Sequence, residues 1–313
     1  MTEQTAENLR QKNRIDWWIY SIPVLLILTL SFYLIVHSRP GGLTGIMIFY
    51  LAPLLIGFLS ILFLIIGIIR SFRKRPFFTR WRIAGFAVLI LLCFSGSIYT
   101  SYPSSYDDKP SKVQFRLPVD SLISVAWGGA YEKINYHVIA PDQRWAYDLM
   151  GVKAGKTFSG DSTKLKNYFC YGQTVLSPAS GKVIDLFDTD PDMPIGVLGG
   201  GTKPVGNHIV IEVAPKEFLF ICHFQPNSIK VKVGDTVEQG QILGLVGNSG
   251  NTSEPHIHIH LQDSKTQGFG EGIPLYFHHY TVNGKYLEKG IPTGGFDEDE
   301  NFAGQTVQNV KRQ

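Results

Sequence analysis

Three long runs of apolar side chains fill most of the first hundred residues, and few folds can accommodate them. The runs span 17–36, 45–69 and 83–98. A helix needs roughly 20 apolar residues to cross the hydrocarbon core of a bilayer, and each run approaches or exceeds that length. Buried helices of a soluble core are the alternative, but three nearly uncharged runs in succession favour three transmembrane helices. Because two further runs follow the first, a cleavable signal peptide is disfavoured.

The basic residues around these runs predict an orientation. Arg10, Lys12 and Arg14 precede the first run, and only Arg39 lies in the loop after it. The next loop is rich in basic side chains, namely Arg70, Arg73, Lys74, Arg75, Arg80 and Arg82. Positive charge stays on the cytoplasmic side, so the N-terminus and the second loop are expected there. An odd number of spans then places the rest of the chain outside, as a multi-pass protein of the cell membrane.

Aromatic residues flank the apolar runs, as expected for anchors at a membrane interface. These are Trp17, Trp18, Tyr20, Tyr99 and Tyr102. The sequence therefore divides into a cytoplasmic N-terminus (1–16), a transmembrane region (17–100), a Pro/Ser-rich linker (101–112), an extracytoplasmic domain (113–296) and a charged tail (297–313). Few apolar residues occur in the tail, which is expected to be flexible.

The region after the linker is predicted to be all-β. Short runs with alternating or β-branched side chains recur between turn signals, including "KINYHVI", "RWAYDLM", "GKVIDLF", "NHIVIEV", "FLFICHF", "SIKVKVG", "GQILGLVG" and "HIHIHLQ". An antiparallel barrel or sandwich fits this pattern. "VKVGDTVEQGQILGLV" also resembles biotinyl and lipoyl carrier domains, but the lysine motif of those domains is missing from this sequence. The net charge of +3 gives no support for nucleic-acid binding.

The chain has three cysteines, which is too few for a disulfide framework. Cys93 lies in an apolar run, where a small buried residue is the simplest interpretation. Cys170 and Cys222 could pair only if the fold brings them together, and the sequence leaves that open.

A row of histidines marks the candidate site. His256, His258 and His260 occupy alternate positions, which share one face of an extended strand. The rise of a strand separates the outer two by about 13 Å, too far for both to bind one ion. At most two of the three can therefore ligate the same metal, and three histidines at this spacing rarely serve packing alone.

A second group lies in "NYHVIAPDQRWAYDLM". If this segment forms a hairpin that turns at Pro141 and Asp142, His137 and Asp148 become diagonal neighbours on one face and can reach a common ion. An aspartate among apolar residues is costly to bury unless it is paired or metal-bound. The alternative for Asp148 is an ion pair with Arg144, on the same face.

Other histidines are weaker candidates. His223 ends the apolar strand "FLFICHF", where it is either a surface residue or a catalytic imidazole near the histidine row. His208 is more consistent with a structural role. His278 and His279 lie in a separate C-terminal stretch and are left out of the site.

Taken together, "YDL", "FICHF", "VKVGDTVEQGQILGLVG" and "GNSGNTSEPHIHIHLQ" resemble the lysostaphin-type (LytM-like) zinc metallopeptidases, which cut peptidoglycan peptides. The resemblance covers roughly 118–275 and implies a small antiparallel β domain with a groove and one Zn²⁺ ion. It implies that His258 and Asp148 bind the metal, that His256 is a catalytic imidazole, and that His223 helps to hold water and stabilise the oxyanion. The family's first ligand, a histidine four residues before the aspartate, is replaced by Arg144.

The hairpin supplies a substitute for that ligand. We predict that His137, Asp148 and His258 bind the metal, that Arg144 is free to bind a substrate carboxylate, and that His260 lies at the groove edge as a second substrate contact. The predicted function is a membrane-anchored peptidoglycan endopeptidase, whose partners are peptidoglycan peptides and the lipid bilayer. The alternative is an inactive relative that binds cell wall or activates another hydrolase. A carrier module, the third possibility, predicts no bound metal.

Overall fold

The chain divides into two compact units, Met1–Pro103 and Ser104–Gln313. The computed structural model describes residues 15–74, 76–98, 101–296 and 303–310. The basic residues before the first apolar run, together with Arg75 and Tyr99, lie outside the described residues.

The N-terminal unit is helical. A 3-10 turn at Trp17–Tyr20 leads into α1 (Ser21–His37), which is followed by α2 (Gly42–Phe72), α3 (Arg80–Cys93) and a 3-10 turn at Ser95–Ile98. The Trp18 ring is fully buried and stacks on Phe86, with 5.0 Å between ring centroids. Glycine allows this close approach, because a Cβ at Gly67 would lie 2.9 Å from Phe86 and 3.0 Å from Trp18.

Within the part of the chain that the structure describes, two helices rather than three are long and apolar enough to cross a membrane: Trp17–His37 and Gly42–Phe72. The predicted third span at 83–98 is wrong in this respect, since α3 has 14 residues. At about 1.5 Å per residue it covers about 21 Å of the ~30 Å hydrocarbon core. The helix ends where the weak helix formers Ser95, Gly96 and Ser97 begin, and the backbone continues as a 3-10 turn. The odd number of spans therefore loses its support, and so does the extracytoplasmic location of the later residues that was derived from it.

Two ion pairs, of which the one to Arg82 is buried, connect the residue before the first 3-10 turn to the basic loop. Asp16 accepts a hydrogen bond from Lys74 Nζ at 2.5 Å and another from Arg82 Nε at 2.7 Å. Arg82 also donates to the carbonyl oxygens of Pro76 and Phe77. Two of the six basic residues of the loop thus pair with one carboxylate.

The second unit is built from twelve described strands and two 3-10 turns, at Tyr136–Ile139 and Leu165–Asn167. The strands are β1 (Ile123–Trp127), β2 (Tyr147–Met150), β3 (Thr174–Leu176), β4 (Gly181–Phe187), β5 (His208–Ala214), β6 (Glu217–Cys222), β7 (Thr236–Val237), β8 (Ile242–Leu245), β9 (Ile257–Gln262), β10 (Phe277–Val282), β11 (Lys285–Gly290) and β12 (Thr306–Asn309).

Ten of these strands form one antiparallel sheet in the order β11-β10-β12-β1-β2-β9-β6-β5-β4-β7, and β3 pairs with β8 in a small second sheet. The order of the large sheet has two ends, so among the described residues it is open rather than a closed barrel. Val175 of β3 and Leu243 of β8 share one hydrophobic core with the large sheet, as in a sandwich. The prediction of an all-β domain is confirmed in that the unit is mostly β, with two short 3-10 turns.

The middle of this sheet positions the candidate site. Strand β9 lies between β2 and β6, and all six of its residues are buried. Ile257, Ile259 and Leu261 enter the core, which turns the alternating histidines to the opposite face.

Several local predictions differ from the structure. "KINYHVI" contains a 3-10 turn in place of a strand, and "SIKVKVG" contains no strand. The tail predicted to be flexible contributes β12, which pairs with β1 and β10. Alternation of Thr306, Val307 and Gln308 suits a strand, and Val307 is fully buried. The residues 297–302 and 311–313 lie outside the described residues.

The predicted linker is divided between the two units, since the first ends at Pro103 and the second begins at Ser104. Tyr102 packs with Val36, Ile46 and Phe49 in the helical unit. In the β unit, Ser104 and Ser105 donate to the buried Glu271 carboxylate. A Pro/Ser-rich composition does not prevent these contacts, because the hydroxyl groups of Ser104 and Ser105 have an acceptor.

The cysteines of the β unit are free thiols. Cys170 donates to the Pro255 carbonyl oxygen at 2.9 Å, and burial raises its thiol pKa to about 12. Burial also raises the pKa of Cys222. Both thiols are therefore protonated at neutral pH.

His208 has the structural role that the sequence favours, and it supports a prediction about pH. Its Nδ1 donates to the Gly206 carbonyl at 2.7 Å, and burial lowers its pKa. As pH falls, His208 therefore takes up a proton in the unfolded chain before it does so in the folded chain. The free energy of unfolding is expected to decline as pH falls below about 6.5. His208→Gln is expected to reduce this dependence by up to about 1.4 kcal/mol per pH unit. Urea unfolding in detergent near pH 5 and near pH 7 measures it; equal slopes in both proteins would contradict the assignment.

Candidate metal centre

Asp148 is the centre of a buried group of histidines. It lies on β2 directly opposite His258 on β9, and its carboxyl group is almost inaccessible to solvent. The Asp148 Oδ1 atom is 2.9 Å from His258 Nδ1 and 3.5 Å from His256 Nε2. The Oδ2 atom is 3.6 Å from His137 Nε2. One ligand atom from each of His137, Asp148 and His258 lies within 4.8 Å of the others.

His137 reaches the group from a 3-10 turn, so the predicted hairpin is wrong although its two residues do meet. The Asn135 side chain replaces the hairpin contacts: its Oδ1 accepts from the His137 backbone N–H and from His137 Nδ1. Its Nδ2 donates to the carbonyl oxygens of Gly129 and Ala146. Because these carbonyls only accept, the orientation of the amide is unambiguous, and His137 Nε2 is left facing Asp148.

His256 and His223 are oriented like His137, by a hydrogen bond at Nδ1 that leaves Nε2 without that partner. His256 Nδ1 donates to the Glu254 carbonyl at 2.8 Å, and His223 Nδ1 donates to the Ser249 carbonyl at 2.7 Å. The His223 ring centroid lies 4.7 Å from that of His256. His223 has a backbone φ of 67°, and this left-handed conformation turns the chain at the end of β6. Each ring therefore has its Nδ1 committed to the backbone and its Nε2 free.

Burial determines the charge of the group. Burial lowers the pKa of His137 to about 4. For His223, burial together with His256 and His258 lowers the pKa well below its usual range. Burial acts to raise the pKa of Asp148, but His137, His256 and His258 outweigh it and hold the pKa below its ordinary value. At neutral pH the imidazoles of His137 and His223 are therefore neutral, and the Asp148 carboxyl group is ionised.

This arrangement fits a cation. The Nε2 atom of neutral His137 carries a lone pair that faces the Asp148 carboxylate, and His256 Nε2 lies 3.5 Å from the same carboxylate. Lone pairs that converge in a buried space repel one another unless a positive charge lies among them. Two imidazole nitrogens and one carboxylate are also the donor set of catalytic zinc sites that keep a position open. The side chains present therefore fit a zinc ion.

Neither of the two residues predicted to bind substrate is placed as the sequence predicts. Arg144 Nε donates to Asp107 Oδ1 at 2.8 Å, so neither the predicted free guanidinium nor the alternative pair with Asp148 appears among the described contacts. His260 is fully buried and stacks on Phe220, which does not fit a position at the groove edge.

Two residues near the site carried no role in the sequence interpretation. Asn135 orients His137, and an amide two residues before a candidate ligand is the signal that could have identified it. Tyr136 is 47% exposed, and its hydroxyl lies 3.4 Å from Asp148 Oδ2. Its ring packs against His137 at 4.0 Å between centroids, so it covers part of the site.

Fold and site together define a β domain with a buried His/Asp/His group that fits one metal ion. Residues 166–268 match the family model described as peptidase family M23. This segment includes His223, His256 and His258, whereas His137 and Asp148 precede it. The matched segment covers less than half of the chain, and it confirms the resemblance to the lysostaphin-type peptidases over that segment.

Individual relatives match only part of the chain. The peptidoglycan DD-endopeptidase ShyA of Vibrio cholerae is 32% identical over 97 residues, which cover 28% of this chain and 22% of ShyA. The chain thus spans about a fifth of the curated relative it matches. A zinc-containing peptidase from Vibrio cholerae gives a TM-score of 0.32 at 21% identity, covering 52% of this chain and 40% of that one. The catalytic domain of lysostaphin from Staphylococcus simulans gives 0.28 at 20% identity, covering 48% and 86%. At these TM-scores the family assignment rests on the sequence match.

Proposed function

We propose that the β unit is a zinc-dependent endopeptidase that hydrolyses peptide bonds of peptidoglycan. The observation that carries this proposal is the convergence of His137, Asp148 and His258 within 4.8 Å, with two further imidazoles beside them. The family match and the name of the Vibrio cholerae relative support a peptidoglycan substrate.

His137 Nε2, an Asp148 carboxylate oxygen and His258 Nδ1 would hold the ion. A zinc ion bound in this way supplies Lewis acidity and lowers the pKa of a bound water towards about 7. The protein excludes bulk water from the ligands, since each of the three is at most 5% exposed. Low local polarity strengthens every electrostatic interaction in the site.

His256 is the proposed proton carrier. Its Nδ1–H is held by the Glu254 carbonyl, which leaves the Nε2 lone pair directed at the site. That atom can take a proton from the attacking water and return it to the leaving amine. Neutral His223 can only accept through its Nε2, so it holds the water by accepting a hydrogen bond. It can donate to an oxyanion, the role that the resemblance implies, only after taking up a proton.

The apolar helices are proposed to anchor the domain in the membrane. Two helices satisfy the length and hydropathy of a span, with windows that are 17% and 28% buried. Two spans would place both ends of the chain on one side, so an extracytoplasmic location for the β unit rests on its proposed substrate alone.

The alternative is a cell-wall-binding relative without activity, and Arg144 at the position of the family's first ligand favours it. His137→Ala separates the two functions. If His137 replaces that ligand, the detergent-purified variant is expected to lose zinc by atomic absorption and to lose peptidoglycan hydrolysis. His279→Ala, on β10, is the matched control and should keep both. Full zinc content in His137→Ala would refute the ligand assignment, and an inactive, zinc-free parent protein would favour the alternative.

A further inference from the structure

A chain of side-chain hydrogen bonds runs along β9 away from the metal centre. His258, His260 and Gln262 occupy alternate positions and share one face. His258 Nε2 lies 2.9 Å from His260 Nδ1, and His260 Nε2 lies 3.2 Å from Gln262 Oε1. All three side chains are buried, and the last two have no exposed surface. The proposed mechanism uses His258 only through its Nδ1. The hydrogen bonds from His258 Nε2 through His260 to Gln262, called the relay below, therefore have no assigned role.

The Gln262 end of the relay determines which atom donates in each of its hydrogen bonds. Gln262 Nε2 donates to the carbonyl oxygens of Ser264 at 2.5 Å and Thr266 at 3.0 Å. Carbonyl oxygens only accept, so the amide nitrogen must face them and Oε1 must face His260. Since Oε1 also only accepts, the proton between these two side chains belongs to His260 Nε2.

The same reasoning extends to the metal ligand. The His260 ring stacks on Phe220 with 4.7 Å between centroids and an interplanar angle of 11°. Neither of its nitrogens has an anionic partner, since one faces an imidazole and the other an amide, so a positive charge there would be buried without a counter-ion. Neutral His260 with its proton on Nε2 has a lone pair on Nδ1. His258 must then donate from Nε2, which leaves the lone pair of His258 Nδ1 directed at Asp148 Oδ1, 2.9 Å away.

We propose that His260 and Gln262 are positioning residues that hold His258 in its Nε2–H tautomer and thereby make Nδ1 the metal-binding atom. This inference rests on the proposed function, because it takes the buried cation to be zinc. Outer partners of metal-bound histidines are usually carboxylates, carbonyls or water. Here the partner is a second imidazole, whose own tautomer is determined by an amide one pleat further along the strand.

The test compares two isosteric substitutions at His260 in the full chain in detergent. Asparagine offers a polar atom near the position of Nδ1, whereas leucine offers none. His260→Leu is expected to weaken zinc binding by about 10–100-fold in competition with a chelating dye. His260→Asn is expected to bind zinc about tenfold more tightly than the leucine variant. Phe220→Leu removes the stacked ring but keeps the relay, so its zinc affinity should stay close to that of the parent.

Spectroscopy tests the tautomer of His258 directly, in the unsubstituted protein, so the result does not depend on whether a variant folds. Nitrogen-15 NMR of the histidine rings in the unsubstituted, zinc-loaded chain should place the His258 proton on Nε2. A proton on Nδ1 would overturn the proposal. Equal losses in the asparagine and leucine variants would overturn it too, as would an equal loss in Phe220→Leu. A parent chain that binds no zinc would refute the proposed function and the relay together, whereas tight zinc binding in His260→Leu would refute the relay alone.

Discussion

Asp148→Ala is expected to abolish zinc binding and, with it, peptidoglycan hydrolysis. Asp148 is the only carboxylate among the described contacts of the three histidines His137, His256 and His258. Without it, two neutral imidazoles remain to hold a doubly charged ion in a buried site. The loss of affinity should exceed the ~10–100-fold that removal of an outer partner costs, because a charged ligand is removed.

The measurement is zinc per chain after dialysis, together with the release of soluble peptides from purified peptidoglycan. Asp185→Ala is a matched control, since this aspartate lies on β4 with 54% of its side chain exposed. Asp148→Asn adds a second comparison, because it keeps the shape and removes the charge. Retention of zinc by both variants at Asp148 would contradict the proposed centre, whatever their activity.

His256→Ala is expected to separate metal binding from catalysis. Its Nε2 lies 3.5 Å from Asp148 Oδ1, close enough to exchange a proton with a water in the site. Its Nδ1 is held by the Glu254 carbonyl, so the ring does not need the ion to stay oriented. Loss of a positioned proton carrier costs roughly 10²–10⁴-fold in rate. The variant should therefore keep its zinc and lose turnover by that factor.

Zinc content and initial hydrolysis rates of His256→Ala and its parent test this prediction. The exposed His279 is again a suitable control position, since His279→Ala changes the histidine count without approaching the site. If His256→Ala loses its zinc as well, His256 is a ligand and the division of roles between His256 and His258 is incorrect. An unchanged rate would exclude it as the proton carrier.

The outcome at His137 illustrates how a residue can be found for the wrong geometric reason. Strand periodicity predicts a hairpin, whereas Asn135 accepts from both the backbone and the ring of His137 and closes a 3-10 turn instead. A side chain that competes with the strand for backbone N–H groups is not visible in an apolar alternation pattern. The two residues still meet, because β2 and the turn are connected by few residues.

For His260 and the third apolar run, the local sequence pattern is correct but the structural conclusion drawn from it is wrong. Alternation correctly places His260 beside His258 on one face, but it cannot tell whether that face is open or covered by Phe220. Likewise, composition identifies the apolar residues of 83–98, but the helix ends at Cys93 before it reaches the length of a span. Burial and helix ends depend on neighbours that are distant in the sequence.

The sequence by itself determined the mostly-β domain, its resemblance to the lysostaphin-type peptidases and the alternating histidines, because strand periodicity and short motifs are local properties. Only the tertiary structure decided which of those histidines meet Asp148, since that depends on β2 and β9 pairing across 110 residues of chain. It also decided which ring nitrogen each histidine presents, because the Asn135 amide, the Ser249 and Glu254 carbonyls and His260 occupy the other one. A hydrogen bond to one nitrogen leaves the other free, and that choice requires a partner in space.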